Sequence, residues 1–187
     1  MLDGTDGVTT GRNLLYNLST RMIAMFARLA LNPRVRIGIR NPNGTYKSER
    51  HFFDFIVNGQ SLLESVGTSL DLVSVLCSEY ALDESIRSVN RLLLTEGADF
   101  PNNRRSLFIC SECGDIECGA ITAVVVREGA AIIWRDFGYE NNYEENVEFG
   151  DRKAIGPFMF DVASYESLLL QAIDSLRAIK LSAPPAK

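Results

Sequence analysis

Between Ser106 and Gly138 the chain packs three apolar runs, SLFIC, ITAVVV and AIIWRDFG, around two short interruptions. Brief runs rich in Ile, Val and aromatic residues, broken by glycine-containing turns, are strand material, and connections this short suit antiparallel neighbours. Arg127-Glu128-Gly129 reads as a hairpin turn, and the other interruption is a turn rich in cysteine. The stretch therefore predicts a three-stranded meander.

Upstream, RVRIGIR sets Val35, Ile37 and Ile39 against Arg34, Arg36, Gly38 and Arg40, the period of a half-buried strand. NPNGTYKSER supplies turn residues, and HFFDFIVNG predicts a second strand with Phe53, Phe55 and Val57 on one face, so the two pair as a hairpin closed by Asn58-Gly59. QSLLESV reads as a short helix, while SLDLVSVLC is open between a strand and a buried helical turn. In ESIRSVNRLLLTEG the stripe Ile86, Val89, Leu92, Leu93 predicts a helix with Asp83 as N-cap and Gly97 at its end; PNNRR follows as a loop. Asp161 is placed to cap a last helix, in which Tyr165, Leu168, Leu169, Ala172, Ile173 and Leu176 share one face. The expected fold class is α+β: an antiparallel sheet of about five strands, hairpin plus meander, covered by helices.

Residues 13 to 31 place Leu14, Leu18, Met22, Met25, Phe26 and Leu29 at helical spacing, with Asn17, Arg21 and Arg28 opposite. Residues 1–31 are thus expected to form an amphipathic helix or extension, and 32–187 a single α+β domain. Two arginines inside the run speak against a membrane span. The acid-free stretch from Gly7 to Ser48 also has the composition of a transit peptide, and a start at Met22 or Met25 is a further alternative. With 187 residues, 46% of them hydrophobic, the chain has ample material for one buried core and too little length for two enzyme domains.

The net charge of -5 argues against a dedicated nucleic-acid binder and hides an uneven distribution. Residues 1–50 carry three acids and eight bases, whereas Asp136 to Asp151 carry six acids and no base. Aromatics interleave the acidic stretch. Rings supply contact area and acids steer a basic partner, so Asp136, Tyr139, Glu140, Tyr143, Glu144 and Glu145 are candidate partner-binding residues for a basic protein. The competing reading has the aromatics covering the core edge and the acids in water.

Cys110, Cys113 and Cys118 lie in CSECGDIECGA, spaced C-x2-C-x4-C. A C-x2-C-G turn is the form of a zinc knuckle, because two sulfurs on a tight turn converge and the glycine allows a left-handed backbone. Candidates for a fourth ligand are Cys77, His51, Asp115 or a water. Two other readings stay open: small buried apolar groups, and a redox pair. His51, the one histidine, is the sole imidazole that could activate Cys110. There is no GxSxG, Walker A, HExxH or GxGxxG.

VNGQSLLE, LFICSECGDIECGAITAVVV, IIWRDFGYENNYEE and GPFMFDVASYESLL, in that order, resemble a group of small bacterial proteins without an assigned activity, which share a C-x-E-C-G-D-x-x-C-G-A turn, a W-x-D-F-G-[YW]-E-N stretch and a P-F-x-F-D helix cap. The resemblance covers roughly residues 34 to 175, leaving 1–31 outside. It implies a bacterial, cytoplasmic protein, where thiols or metal are expected over disulfides. The leading expectation is a non-enzymatic binding or accessory protein, an immunity protein being one version, that works through its acidic aromatic loop. The alternative is a zinc- or thiol-dependent enzyme centred on the three cysteines, with Asp115 or Glu117 as acid or base.

Overall fold

The computed structural model describes residues 26–182, apart from 142 and 145. Strand β1 spans Leu29–Arg36, and a small two-stranded ribbon, β2 (Ile39–Arg40) and β3 (Tyr46–Lys47), extends the connection to β4 (Arg50–Val57). β5 (Gln60–Ser61) turns directly into helix α1 (Leu62–Val66), where the Ser61 hydroxyl accepts the Glu64 N–H. After β6 (Leu72–Ser74) come α2 (Leu82–Leu92), β7 (Arg104–Cys110), β8 (Ala120–Glu128), β9 (Ala131–Glu140), β10 (Phe158–Asp161) and α3 (Val162–Ser182).

The expected α+β class holds, with a five-stranded antiparallel sheet in the order β10-β9-β8-β7-β6. The meander β7-β8-β9 forms as its sequence predicts. The predicted hairpin pairs in part, Leu29 opposite Val57 through Arg36 opposite Arg50, but Ile39–Arg40 leave it for the ribbon, Asn58-Gly59 turns β4 into β5, and it belongs to a separate sheet, β1-β4-β5. The two remaining places in the large sheet go to β6, from the segment left unassigned, and to β10, built from FMF.

The sheets curl towards each other and are tied at two edges. On one side Phe53 N–H donates to Leu76 O at 3.1 Å and Ser78 N–H to His51 O at 2.8 Å; on the other, Ala27 N–H donates to Met159 O at 2.6 Å. Trp134 of β9 sits between them, fully buried, with edge-on ring contacts to Phe55 of β4 at 5.4 Å, Phe160 of β10 at 5.1 Å and Tyr165 of α3 at 5.9 Å. Such pairs add about 0.5–1.5 kcal/mol each beyond the area they bury. Helices α2 and α3 pack on one another, and α3 reaches β1, β9 and β10 through a stripe of Tyr165, Leu169, Ala172, Ile173 and Leu176.

Several local expectations are corrected. Residues 29–31, placed in the amphipathic helix, are strand, because the edge of β4 offers Leu29, Ala30 and Leu31 a backbone ladder; residues 1–25 lie outside the described residues. Asn32-Pro33 lies within β1, opposite Asp54 and Phe53, and does not interrupt it. The α2 N-cap is Ala81 with Asp83 in the first turn, and the helix ends before Gly97 because Leu94 takes a left-handed φ of 63°. The β8–β9 connection is Gly129-Ala130, shifted from the expected Arg127-Glu128-Gly129. The arginines of PNNRR begin β7 and are buried, following an Asn102-Asn103 turn with φ of 59° at both residues.

Candidate metal centre

The cysteine turn is the connection between β7 and β8. β7 ends at Cys110, whose carbonyl accepts the Gly114 N–H at 3.0 Å and the Tyr80 hydroxyl at 2.6 Å. The chain then makes a single 3-10 turn over Ile116–Cys118, capped by Asp115, whose Oδ1 accepts the Glu117 N–H at 2.8 Å. Both ends of the turn need glycine. Gly114 has φ of 70° against the Tyr80 ring, and Gly119 has φ of 113°, where a Cβ would fall 2.1 Å from the Tyr139 hydroxyl oxygen.

This path brings the Sγ atoms of Cys110, Cys113 and Cys118 within 4.8 Å of one another, with Cys113 and Cys118 only 3.3 Å apart. Cys113 and Cys118 are exposed and Cys110 is half-buried. Partial burial raises the pKa of the Cys110 thiol, and the backbone N–H groups of Cys113 and Glu112 with the neighbouring thiols outweigh that and leave it below the ordinary thiol value. Cys113 moves the other way, pushed up to about 12, by desolvation first and then by sharing its surroundings with two other sulfurs. Three sulfurs gathered in so small a volume are a ready set of donors for a cation that would neutralise their thiolates.

Charged side chains from β1 and β4 clamp the turn. Arg50 donates to Ser111 O at 2.6 Å and Glu112 O at 2.8 Å while lying over the Tyr80 ring, and Arg36 pairs with Glu112 at 2.9 Å. A cavity of about 340 Å³ opens beside Cys113, with Arg50, Tyr80 and Glu112 in its wall.

Of the side chains expected as a fourth ligand, none joins the cluster. Cys77 is buried, donates to Glu79 Oε2 at 3.1 Å, and is pushed up to about 12 by that burial. His51 binds Glu79 Oε1 through Nδ1 at 2.8 Å, on the rim of a separate, mostly apolar groove of about 550 Å³. Asp115 is committed to its cap. Glu79, which organises both Cys77 and His51, was invisible in the sequence because its two partners come from different elements.

The acidic stretch divides. Asp136 pairs with its neighbour Arg135, and Tyr139 lies over Gly119 with its hydroxyl donating to Cys118 O at 3.4 Å. Glu140 is corrected as a partner-binding candidate: only 8% exposed, it turns inward onto Arg104 and the Thr122 hydroxyl. Tyr143 is 81% exposed and Glu144 is exposed with it, in a turn held by Asn141 Oδ1 accepting both their backbone N–H groups at 2.9 Å. Glu145 lies outside the described residues. Backbone hydrogen bonds in both directions between Tyr139 and Glu148 close the base of this loop, so Tyr139 joins the acidic loop to the cysteine turn at one end of the molecule.

The chain matches no family model, no curated protein and no solved structure. Among the described residues no helix is long and apolar enough to cross a membrane.

Proposed function

We propose that the protein is a zinc-binding accessory protein in which Cys110, Cys113 and Cys118 hold one Zn²⁺. The convergence of three sulfurs within 4.8 Å on a C-x2-C-G turn carries this reading. Thiolates are the preferred donors for a borderline-soft d10 cation, and the backbone N–H groups at Cys110 stabilise the anionic form that binds it. Three protein ligands leave one tetrahedral position for water or for a side chain of a partner. Catalysis through that position would need an acid or base beside it. Asp115 is engaged in its cap and His51 is held by Glu79; Glu117, exposed on the turn, is the acid or base left for an enzymatic role, which stands as the alternative to binding.

Elemental analysis of protein purified without chelator should find about one zinc per chain, falling sharply in Cys113→Ser and Cys118→Ser. A folded, metal-free protein that takes up no zinc on titration overturns the reading.

The exposure of Tyr143 and Glu144 favours a second role at the same end, the docking of a basic protein, an immunity protein being one concrete version. Glu140 has no part in it. In a pull-down, Tyr143→Ala with Glu144→Lys should lose a partner that wild-type protein retains, and an unchanged set of partners counts against docking here.

A further inference from the structure

The three sulfurs are not equivalent. Cys110 ends a strand, opposite Leu72 of β6, and its carbonyl is held by Tyr80 and Gly114, so its backbone is fixed by three contacts. Cys113 and Cys118 stand on the turn itself, both exposed, with their sulfurs 3.3 Å apart and glycines at positions 114 and 119 adjoining them. A disulfide needs the sulfurs to close by roughly a further ångström. That motion is available to a short turn between glycines and is opposed at Cys110 by the sheet.

We propose that the cluster is an oxidant-responsive metal site, in which a peroxide joins Cys113 to Cys118 and the metal is released. The inference rests on the zinc reading above. The chemistry balances with hydrogen peroxide as the oxidant. One thiolate of the pair attacks a peroxide oxygen, the O–O bond breaks, and a sulfenic acid and hydroxide form. The second thiolate attacks the sulfenic sulfur, the S–S bond forms, the S–O bond breaks, and hydroxide departs. Two protons from solvent convert both hydroxides to water; two sulfurs are oxidised and one peroxide is reduced. Two anionic donors are thereby lost at once, and Cys110 alone cannot retain a divalent cation. Reduction by a thiol restores the site.

The experiment uses the full chain in two steps. Zinc is first loaded and quantified, and a chain that takes up none ends the zinc reading before any oxidant is added. Hydrogen peroxide is then added to the loaded protein, with released zinc followed by a colorimetric chelator and linkages mapped by mass spectrometry without reduction. The expected result is complete loss of zinc in step with a Cys113–Cys118 linkage, Cys110 remaining free to alkylate, and full reloading after dithiothreitol. Cys110→Ser should still form the linkage, and Cys118→Ser should form none between Cys110 and Cys113. Zinc leaving with Cys110 in the linkage or over-oxidised, zinc retained while the linkage forms, or no linkage at all, each overturns the proposal.

Discussion

Arg104 and Glu140 meet inside the protein, guanidinium Nε to carboxylate Oε2 at 2.5 Å, with both side chains more than nine-tenths covered. The pair crosses β8, whose Thr122 hydroxyl also bonds the carboxylate, while Arg104 reaches on to the Asp136 carbonyl at 2.8 Å. Removing one partner strands the other's charge where water cannot reach it. Glu140→Ala is expected to cost about 3–5 kcal/mol in urea unfolding, whereas Glu144→Lys should stay within about 0.5 kcal/mol of wild type. Equal effects at the two acids would show that Glu140 is not buried as described.

At the end of the cysteine turn, Gly119→Ala places a Cβ against the Tyr139 hydroxyl on a backbone with φ of 113°. A loss of about 1–3 kcal/mol in thermal unfolding is expected from the strained backbone. Tyr139→Ala relieves the clash but not the backbone strain, so the double variant should recover only part of the loss; full recovery would place the cost in the ring contact alone.

Tyr165 holds the core tryptophan, accepting from Trp134 Nε1 at 3.2 Å while donating to Leu92 O at 3.0 Å. In Tyr165→Phe the indole N–H loses its acceptor in a dry interior, for an expected loss of about 1–3 kcal/mol. Trp134 is the one tryptophan in the chain, so its fluorescence reports the transition directly. An unchanged midpoint would contradict the hydrogen bond.

Asp71 joins the first hairpin by accepting Arg36 through Nε and the second guanidinium nitrogen, both at 2.8 Å, and Lys47 at 2.6 Å. These bonds, Arg36's foremost, hold its carboxyl down at about 2, against an ordinary value of 3.8. A carboxyl depressed on folding contributes its stability above the unfolded value and loses it as the pH falls through the folded one. Between pH 4 and pH 2 the wild type should therefore lose stability that Asp71→Asn never had. Because the partners lie partly in solvent, the difference is expected to be under about 1 kcal/mol. Parallel stability curves for the two proteins over that range would sink this assignment.

The meander, the Asp161 cap that accepts the Ser164 N–H at 2.9 Å, the buried stripe of α3 and the C-x2-C-G turn were all legible in the sequence. Each is written within a few neighbouring residues, as a period, a cap or a glycine, and needs no distant partner to be recognised. Only tertiary structure decided that the hairpin forms its own sheet, that Ala27 meets Met159, and that β6 and β10 complete the larger sheet, since edge pairing joins segments far apart in the chain. The same holds for the acids. Six of them crowd residues 136–151, and nothing local marks Glu140 as the one that turns inward. That choice belongs to Arg104 and Thr122, which reach it across neighbouring strands. The sequence by itself placed three cysteines on one turn; the fold turned Cys77, His51 and Asp115 to other partners, because their hydrogen bonds lie elsewhere.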